Sequence, residues 1–437
     1  MPSAAARAGP FSIPRLRAEL GGTVIAPYDA GYDEARTVVY GGFDRRPAAI
    51  VRAAGADDVA RVVTIARETG LELAVRGGGH SNAGHSTTDG GIVLDLRDLR
   101  ALEIDPEGRT AWADAGLTAG EYTAAAWAHG LATGFGDTGS VGIAGLTLGG
   151  GVGYLVRWAI RGGGGNFGVA TRLRLRLHDL GSPVGGMLVL PATADTVAGF
   201  IAAAEAAPDE LSTIGNVMPA PPMPFLPEEV HGRLVILAML VHAGDAAAGE
   251  RAVTPFRALG TPLADMVGPM PYPDVYPPDD PDYHPTAVAR TMFVDAIDGG
   301  VAETIVEYLG ASDASMRVAQ LRVLGGAMAR VPSDATAFAH RASRIMVNVA
   351  AFYDGPEDRV IRDAWVTDFA EALQQDDSGA YVNFLGEEGE ARIRAVYPGT
   401  TWDRLAAIKR RYDPTNLFRL NQNIPPAGDG GAPERNA

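Results

Sequence analysis

The chain has 437 residues, no cysteine and a formal net charge of -16 at pH 7. This length favours two domains, and the acidic balance argues against nucleic acid or an anionic membrane as a partner, since both require a basic surface. Without cysteine there is no disulfide, thiolate catalysis or cysteine-ligated metal. The first ten residues lack the apolar core of a secretory signal, and no stretch is apolar for long enough to span a bilayer, so we expect a cytoplasmic protein.

Helix and strand patterns alternate between residues 47 and 177, as in an α/β domain. An apolar face that begins at Val59 predicts a helix that ends at Gly70. Thr118 and Glu121 have the spacing of a capping box, which predicts the start of a second helix. The segment therefore carries the sequence features of a folded, ligand-binding α/β unit.

A sharp turn follows a predicted strand that contains Leu73 and Val75. The turn reads Arg-Gly-Gly-Gly-His-Ser over residues 76–81. Its glycines let the backbone adopt positive φ and approach a ligand closely, and successive N–H groups in such a turn can bind an anion. His80 stands at the tip of the turn. This combination predicts a phosphate-bearing cofactor with a nitrogen nucleophile beside its reactive end.

Two further glycine clusters occupy residues 142–153 and 161–168. The second contains a formal GxGxxG match at Gly163, Gly165 and Gly168. A Rossmann site requires a helix directly after that match, whereas a strand of alternating arginine and leucine follows here. We therefore reject a classical NAD-binding site.

Proline clusters interrupt the apolar runs of the second half of the chain, at residues 219–227 and 269–285. The second cluster is also rich in tyrosine, so it is either a lid over a pocket or a surface connection. The histidines are scattered without an HxxxH pair, which argues against a metalloenzyme. No GxSxG motif is present, which argues against a serine hydrolase of that type.

The sequences RGGGHSNAGHSTTDGGIVLDL, GIAGLTLGGGVGYL and AIRGGGGNFGVATRLRLRLH resemble the FAD domain of the vanillyl-alcohol-oxidase superfamily. The C-terminal sequences YVNFLGEEGEARIRAVY and RLAAIKRRYDPTNLFRLNQNIPP resemble its berberine-bridge-enzyme-like branch. The resemblance implies an α+β fold with a PCMH-type FAD-binding domain of two α/β subdomains. It also implies a substrate domain with an antiparallel sheet backed by helices. The implied boundaries are 1–184 for the FAD domain, 185–378 for the substrate domain, 379–424 for a segment that returns to the FAD domain and 425–437 for a disordered tail.

The resemblance further implies an FAD-dependent oxidase that takes a hydride from an alcohol or related C–H donor and passes electrons to O2. A dehydrogenase of the same fold with another acceptor, and a non-catalytic remnant without FAD, are the alternatives. His80 matches the histidine that is joined to the flavin 8α-methyl group, a role that suits neutral imidazole near pH 7. Some relatives add a cysteinyl link at the position of Thr138, so at most one covalent link is expected here.

The resemblance assigns Tyr381 the role of the base or of a substrate contact. Arg322, on the expected substrate sheet, is a candidate helper, and Gln320 in the same segment is a further candidate catalytic residue. A tyrosine is a poor base at neutral pH unless a nearby cation lowers its pKa, and Tyr381 as a core residue is the structural alternative. His85 has no comparable match in the family pattern, so a structural role is expected for it. The residues expected to contact the cofactor are Arg76, Gly77, Gly78, Gly79, His80, Ser81, Gly84, His85, Thr138, Gly142, Gly145, Leu148, Gly149, Gly150, Gly153, Gly165, Asn166, Gly168, Val169, Asn383, Asn421 and Asn423.

The chain departs from the family pattern at one place. In relatives, a few dozen residues with strands of the flavin subdomain separate the segment ending at Arg157 from the segment starting at Trp158. Here the two segments run together in frame. Loss of paired strands leaves open sheet edges, so this junction bears directly on whether the chain holds FAD.

Overall fold

The structure is a computed structural model that describes residues 11–150, 161–278 and 280–428. Gly153 and the junction between Arg157 and Trp158 lie outside the described residues. Within the described part of the chain, no helix combines the length and apolar character needed to cross a membrane.

The first subdomain is a four-stranded sheet in the order β1-β2-β4-β3, in which β2, β4 and β3 run parallel. The predicted helix α3 is confirmed and ends at Gly70, which adopts the left-handed conformation with φ 70°. The elements of the first subdomain are α1 (Ile13–Glu19), β1 (Thr23–Ile25), α2 (Tyr32–Arg36), β2 (Ala49–Arg52), α3 (Ala56–Thr69), β3 (Leu73–Arg76) and β4 (Ile92–Asp95).

The second subdomain contains a three-stranded antiparallel sheet in the order β5-β6-β8 and shares one apolar core with the first. The predicted capping box is present, because the backbone of Glu121 donates to Thr118 Oγ1 at 3.3 Å and Thr118 N donates to Glu121 Oε2 at 3.0 Å. Strand β8 buries its leucines and exposes its arginines, as the alternation predicts. The elements are β5 (Leu102–Asp105), β6 (Thr110–Asp114), α4 (Ala119–Trp127), β7 (Leu131–Ala132), α5 (Ile143–Leu148), β8 (Arg172–Arg176) and β9 (His178–Asp179).

The segments on either side of residues 151–160 are held next to each other. Both Gly162 N and Gly164 N donate to the carbonyl oxygen of Leu148, at 2.9 and 3.0 Å. The three-stranded sheet ends in β5 on one side and β8 on the other, and charged side chains on both strands suit an edge.

The substrate domain is built on an antiparallel sheet in the order β13-β10-β12-β11-β16-β17-β15, with β14 paired to β10. Helices back one face of this sheet, as expected; the ring of Phe200 lies under Gly215, where a Cβ would approach it to 2.8 Å. The opposite face is turned toward the FAD domain. The elements are β10 (Val184–Pro191), α6 (Ala194–Glu205), β11 (Leu211–Pro219), β12 (Leu234–His242), α7 (Ala246–Arg257), β13 (Ala264–Asp265), β14 (Gly268–Pro269), β15 (Ala287–Val294), α8 (Gly299–Ala311), β16 (Arg317–Val323), α9 (Gly326–Ala329), β17 (Ile345–Phe352) and α10 (Gly355–Leu373).

The C-terminal segment returns to the FAD domain through α11 (Gly389–Val396) and α12 (Thr400–Tyr412). Asn166 anchors it: its Nδ2 donates to Gln422 O at 3.1 Å, and its Oδ1 accepts from Ile424 N at 2.9 Å. The fully buried Lys409 donates to Asn166 O and to Phe418 O, each at 2.7 Å. The C-terminal segment therefore packs into the core of the FAD domain.

Candidate active site

A cavity of about 1700 Å³ lies between the glycine turns of the FAD domain and the open face of the large sheet. Typical small-ligand pockets measure about 300–1,000 Å³. The cavity therefore has room for a dinucleotide and a second molecule. Most of the residues assigned to the cofactor from sequence line it, namely Gly77, Gly78, Gly79, His80, Ser81, His85, Thr138, Gly142, Gly145, Leu148, Gly150, Gly165, Gly168, Val169, Asn383 and Asn421.

Two glycines from different loops meet at the cavity wall. A Cβ placed on Gly78 would lie 2.3 Å from the backbone nitrogen of Gly142, and a Cβ on Gly142 would lie 2.3 Å from the nitrogen of Gly78. Gly79 follows with φ +76°, a conformation that favours glycine. The two loops form a wall of bare backbone, which suits a ligand that binds peptide N–H groups.

His85 completes the turn that begins at Ser81. The backbone nitrogen of His85 donates to Ser81 Oγ at 3.2 Å. Burial, with a smaller effect from Arg45, lowers the pKa of His85 to about 4. Its imidazole is therefore neutral at physiological pH. Gly84 does not line the cavity; a Cβ there would lie 2.4 Å from the ring of Phe43.

Arg76 does not line the cavity. Its side chain is 1% exposed, and its guanidinium donates to Ala35 O at 2.6 Å and to Ser86 O at 3.1 Å. Asp95 Oδ2 lies 3.5 Å away. Burial lowers the pKa of Arg76 to about 10, although Asp95 opposes this shift. Arg76 thus fixes the base of the glycine turn from behind, an arrangement that the motif alone does not reveal.

Tyr381 and Asn383 line the cavity and are coupled. Asn383 Nδ2 donates to Tyr381 Oη at 2.8 Å and to Leu146 O at 3.2 Å. Gly149 does not line the cavity because it lies behind Asn383, whose Oδ1 would be 1.7 Å from a Cβ on that glycine. Burial raises the pKa of Tyr381, and the nearby Arg322 only partly opposes this shift. The phenol is therefore protonated at neutral pH.

Arg322 connects the substrate sheet to the FAD domain. Its Nη2 donates to Asp137 Oδ2 at 2.7 Å and to Gln320 Oε1 at 2.9 Å, and its guanidinium lies 5.2 Å from the ring centroid of Phe384. Gln320 does not line the cavity but holds Arg322 and donates to Asn216 Oδ1 at 2.9 Å. Asp137 was not predicted from the sequence, because its partner Arg322 lies 185 positions further along the chain.

The polar residues near the C-terminus divide into two groups. Asn421 and Gln422 line the cavity, and Asn421 Oδ1 is buried without a hydrogen-bond partner among the described residues. Asn423 does not line it, and the fully buried Asn166 anchors the segment instead. An acceptor without a partner, in the same cavity as a wall of bare backbone, fits a cofactor that carries both hydrogen-bond donors and phosphate oxygens.

The first part of the proline- and tyrosine-rich segment, residues 269–278, lines one side of the cavity. Tyr272 lines the cavity, and Tyr276 Oη donates to Phe135 O in the FAD domain at 2.8 Å. Gly41 N donates to Pro285 O at 3.1 Å. The segment therefore bridges the two domains over the cavity, so it is more than a surface connection.

Family models match the two ends of the chain. Residues 47–162 match the FAD binding domain, and residues 380–425 match the berberine and berberine-like family. The chain is 28% identical to (R)-6-hydroxynicotine oxidase from Paenarthrobacter nicotinovorans, over 93% of this chain and 97% of that protein. That alignment runs over 468 positions, more than the 437 residues of the chain, so this relative has residues that the chain lacks.

An uncharacterized FAD-linked oxidoreductase from Bacillus subtilis (strain 168) is 26% identical over 94% of this chain and 98% of its own length. The solved structure of 6-hydroxy-D-nicotine oxidase from Arthrobacter nicotinovorans superposes with a TM-score of 0.80 at 26% identity, over 93% of this chain and 98% of that one. Physcomitrella patens BBE-like 1 shares the fold, with a TM-score of 0.81 at 21% identity over 96% and 100% of the two chains. The chain therefore carries an FAD binding domain and a berberine-like C-terminal segment, and it is similar over nearly its whole length to FAD-linked oxidoreductases.

Proposed function

We propose that the protein is an oxidase with FAD tethered through His80, and that it oxidises a small molecule at a carbon bearing OH or NH. The observation that carries this proposal is the cavity itself, where a backbone wall at Gly78 and Gly142 faces a sheet that presents Arg322. Bound FAD would supply the acceptor for a hydride from the donor carbon while the heteroatom gives up a proton, and O2 would then take up the two electrons and two protons as hydrogen peroxide.

The tether requires a nitrogen nucleophile at the turn. Joining an imidazole nitrogen to the 8α carbon removes two electrons and two protons overall, and O2 is the acceptor that the proposed oxidase already uses. His80 is the histidine of the matched motif and lines the cavity. Thr138 lines the cavity at the position of the second, cysteinyl link, so we propose a single covalent bond.

Tyr381 is proposed as the substrate contact rather than the base. Its phenol oxygen accepts a hydrogen bond from Asn383, so its own O–H is directed elsewhere and can donate to the donor heteroatom. The raised pKa of Tyr381 keeps that hydrogen in place at neutral pH. Arg322 and Gln320 hold the adjacent edge of the site through Asp137 and Asn216. The protein thus orients the reacting carbon, which is the main contribution expected of it.

The decisive experiment is a visible absorption spectrum of the purified protein, repeated on the pellet and the supernatant after acid precipitation. Yellow colour in the pellet, lost in His80→Ala but retained in a variant of the exposed His129, His129→Ala, supports the tether. Colour released to the supernatant of the unmodified protein contradicts the tether and leaves a flavoprotein. A folded protein that stays colourless with added FAD contradicts the enzyme and favours the non-catalytic remnant.

Oxygen consumption separates the oxidase from the alternative dehydrogenase. With a reducing substrate, an oxidase releases hydrogen peroxide in proportion to the O2 consumed, whereas a dehydrogenase requires an added electron acceptor.

The absence of cysteine favours a cytoplasmic location, and this location stays a prediction. The domain boundaries given above also stay a prediction.

A further inference from the structure

Methionine is concentrated around the cavity. The chain has 11 methionines, and seven of them line this one cavity. Three lie on strands of the large sheet, namely Met187, Met239 and Met346. Four lie on surrounding segments, namely Met223, Met266, Met270 and Met328. We call the three sheet residues the methionine face.

The strand register places the methionine face beside the proposed reaction site. Met187 and Met239 are direct partners on neighbouring antiparallel strands. Met346 is the direct partner of Arg322, the residue that contacts Asp137 of the FAD domain. The methionine face therefore has two parts, one on β17 beside Arg322 and one on β10 and β12, and β11 lies between them.

Thioether side chains are apolar, polarisable and adaptable, and they make favourable contacts with aromatic rings. Aromatic residues, among them Phe225 and Phe293, line the same side of the cavity. The thioethers and rings themselves offer few hydrogen bonds to the hydroxyl groups of a sugar, which would have to find partners among Ser212, Thr213 and Asn216 of β11. The methionine face favours a ring-bearing, predominantly apolar molecule.

The charged side chains on and next to the large sheet disfavour an anionic substrate. Among the described lining residues the arginines are Arg322 and Arg344, and each already faces a carboxylate, from Asp137 and Glu205 respectively. Asp274 adds a further carboxylate to the lining. Because both arginines are already paired, a substrate carboxylate or phosphate would lack a cationic partner, and the lining carboxylates would repel it.

We propose that the methionine face receives an apolar, ring-bearing donor that carries no anionic group. This inference rests on the proposed function, because that function makes the sheet side of the cavity the substrate side. It narrows the substrate to aromatic or polycyclic alcohols and amines, and it excludes oligosaccharides and aromatic carboxylates.

Anaerobic equilibrium dialysis of the purified holoprotein tests the inference with three probes: 2-naphthylmethanol, 2-naphthoate and cellobiose. The first two share a ring system and differ in charge, and the third is a neutral sugar. We expect 2-naphthylmethanol to bind at least tenfold more tightly than either of the others. Equal binding of all three, a preference for naphthoate or cellobiose, or no binding of 2-naphthylmethanol overturns the proposal.

Variants of the methionine face locate the bound probe. Met239→Gln and Met346→Gln replace a thioether by an amide of similar length, and each is expected to weaken 2-naphthylmethanol binding about tenfold, because a polar group then faces the ring. Met239→Leu keeps the apolar surface and is expected to bind within threefold of the parent. Met316→Gln, which lies away from the cavity, is the matched control and is expected to bind like the parent. Unchanged binding in both face variants contradicts the proposal.

Binding and chemistry are read out separately. Dialysis needs no turnover, so probe preference is measured even if no hydrogen peroxide is produced. A protein that prefers 2-naphthylmethanol but releases no peroxide with any donor keeps the binding inference and loses the oxidase. A protein that oxidises a sugar or an aromatic carboxylate efficiently keeps the oxidase and loses the inference.

Discussion

Gly78 and Gly142 approach each other so closely that neither has room for a side chain, since a Cβ on either would lie 2.3 Å from the backbone nitrogen of the other. The contact joins the turn after β3 to the start of α5, so it sets the distance between two walls of the cavity. Any group larger than hydrogen must push these walls apart.

We therefore expect Gly78→Ala to lower the flavin content of the purified protein and to destabilise the fold by about 1–3 kcal/mol, the usual cost of overpacking. Flavin absorbance per protein and urea unfolding measure the two effects. Gly260→Ala is the control, because a Cβ there meets nothing within 4 Å. Full flavin content and unchanged stability in Gly78→Ala would show that the close contact between Gly78 and Gly142 does not fix the cavity wall.

Gly149 is expected to control the position of Tyr381 through Asn383. An alanine at residue 149 must displace the Asn383 amide, whose Oδ1 would lie 1.7 Å from the new Cβ, and the hydrogen bond to Tyr381 is then lost. We expect Gly149→Ala to reduce kcat/KM about 10- to 100-fold. In an Asn383→Ala background the same change should have little further effect, because the two residues act on one contact. Additive losses in the double variant would contradict this coupling.

Asp137 is expected to influence the alkaline limb of the pH profile. Burial raises the pKa of Tyr381, and the carboxylate of Asp137 adds to that increase. Activity that depends on the protonated phenol is present below this pKa and is lost as pH rises through it. Asp137→Asn removes the negative charge and frees Arg322, and both changes lower the pKa of Tyr381, so the loss of activity should begin at a lower pH.

The measurement for Asp137 is kcat/KM from pH 6 to pH 11 for the parent and for Asp137→Asn. Asp313→Asn removes a carboxylate from a surface ion pair with Arg362 and should leave the profile unchanged. An alkaline limb that moves upward in Asp137→Asn, or one that persists unchanged in Tyr381→Phe, would contradict the role of the phenol.

Lys409 is expected to be essential for the C-terminal segment. Its ammonium is fully buried and lies 2.8 Å from Asp413 Oδ2. Lys409→Met leaves that carboxylate buried without its cation, which typically costs about 3–5 kcal/mol. Differential scanning calorimetry should show the loss, whereas Arg330→Met, which breaks an exposed pair, should change the free energy of unfolding by less than about 1 kcal/mol.

The ion pair between Lys409 and Asp413 also predicts that the folded protein loses stability in acid. Burial alone would raise the pKa of Asp413, but Lys409 and the backbone N–H groups of Phe418 and Leu417 hold it below its ordinary value. The resulting stability is present above the unfolded pKa and is lost as pH falls through the folded pKa. The stability difference between the parent and Asp413→Asn should therefore shrink as the pH falls below about 4.

Local patterns in the sequence predicted local structure well. The capping box at Thr118, the end of α3 at Gly70 and the two-sided strand β8 all form as expected, because each depends on residues within a few positions. The glycine turn also lines the cavity as its motif indicates. The long-range contacts were not predictable in this way. The pairing of Asp137 with Arg322 and the burial of Arg76 arise from tertiary packing, which no short window of sequence contains.

The anchoring of the C-terminal segment on Asn166 has a consequence for biosynthesis. Gln422 lines the cavity and is held by Asn166, so the cavity is complete only when both positions are folded together. Synthesis proceeds at about 5–20 residues per second and N-terminal regions fold first, so residue 422 joins the fold after the glycine turns have been made. We therefore expect cofactor loading to wait for the C-terminal segment, and a message truncated before codon 422 should yield less flavin per protein even though every glycine turn has been translated.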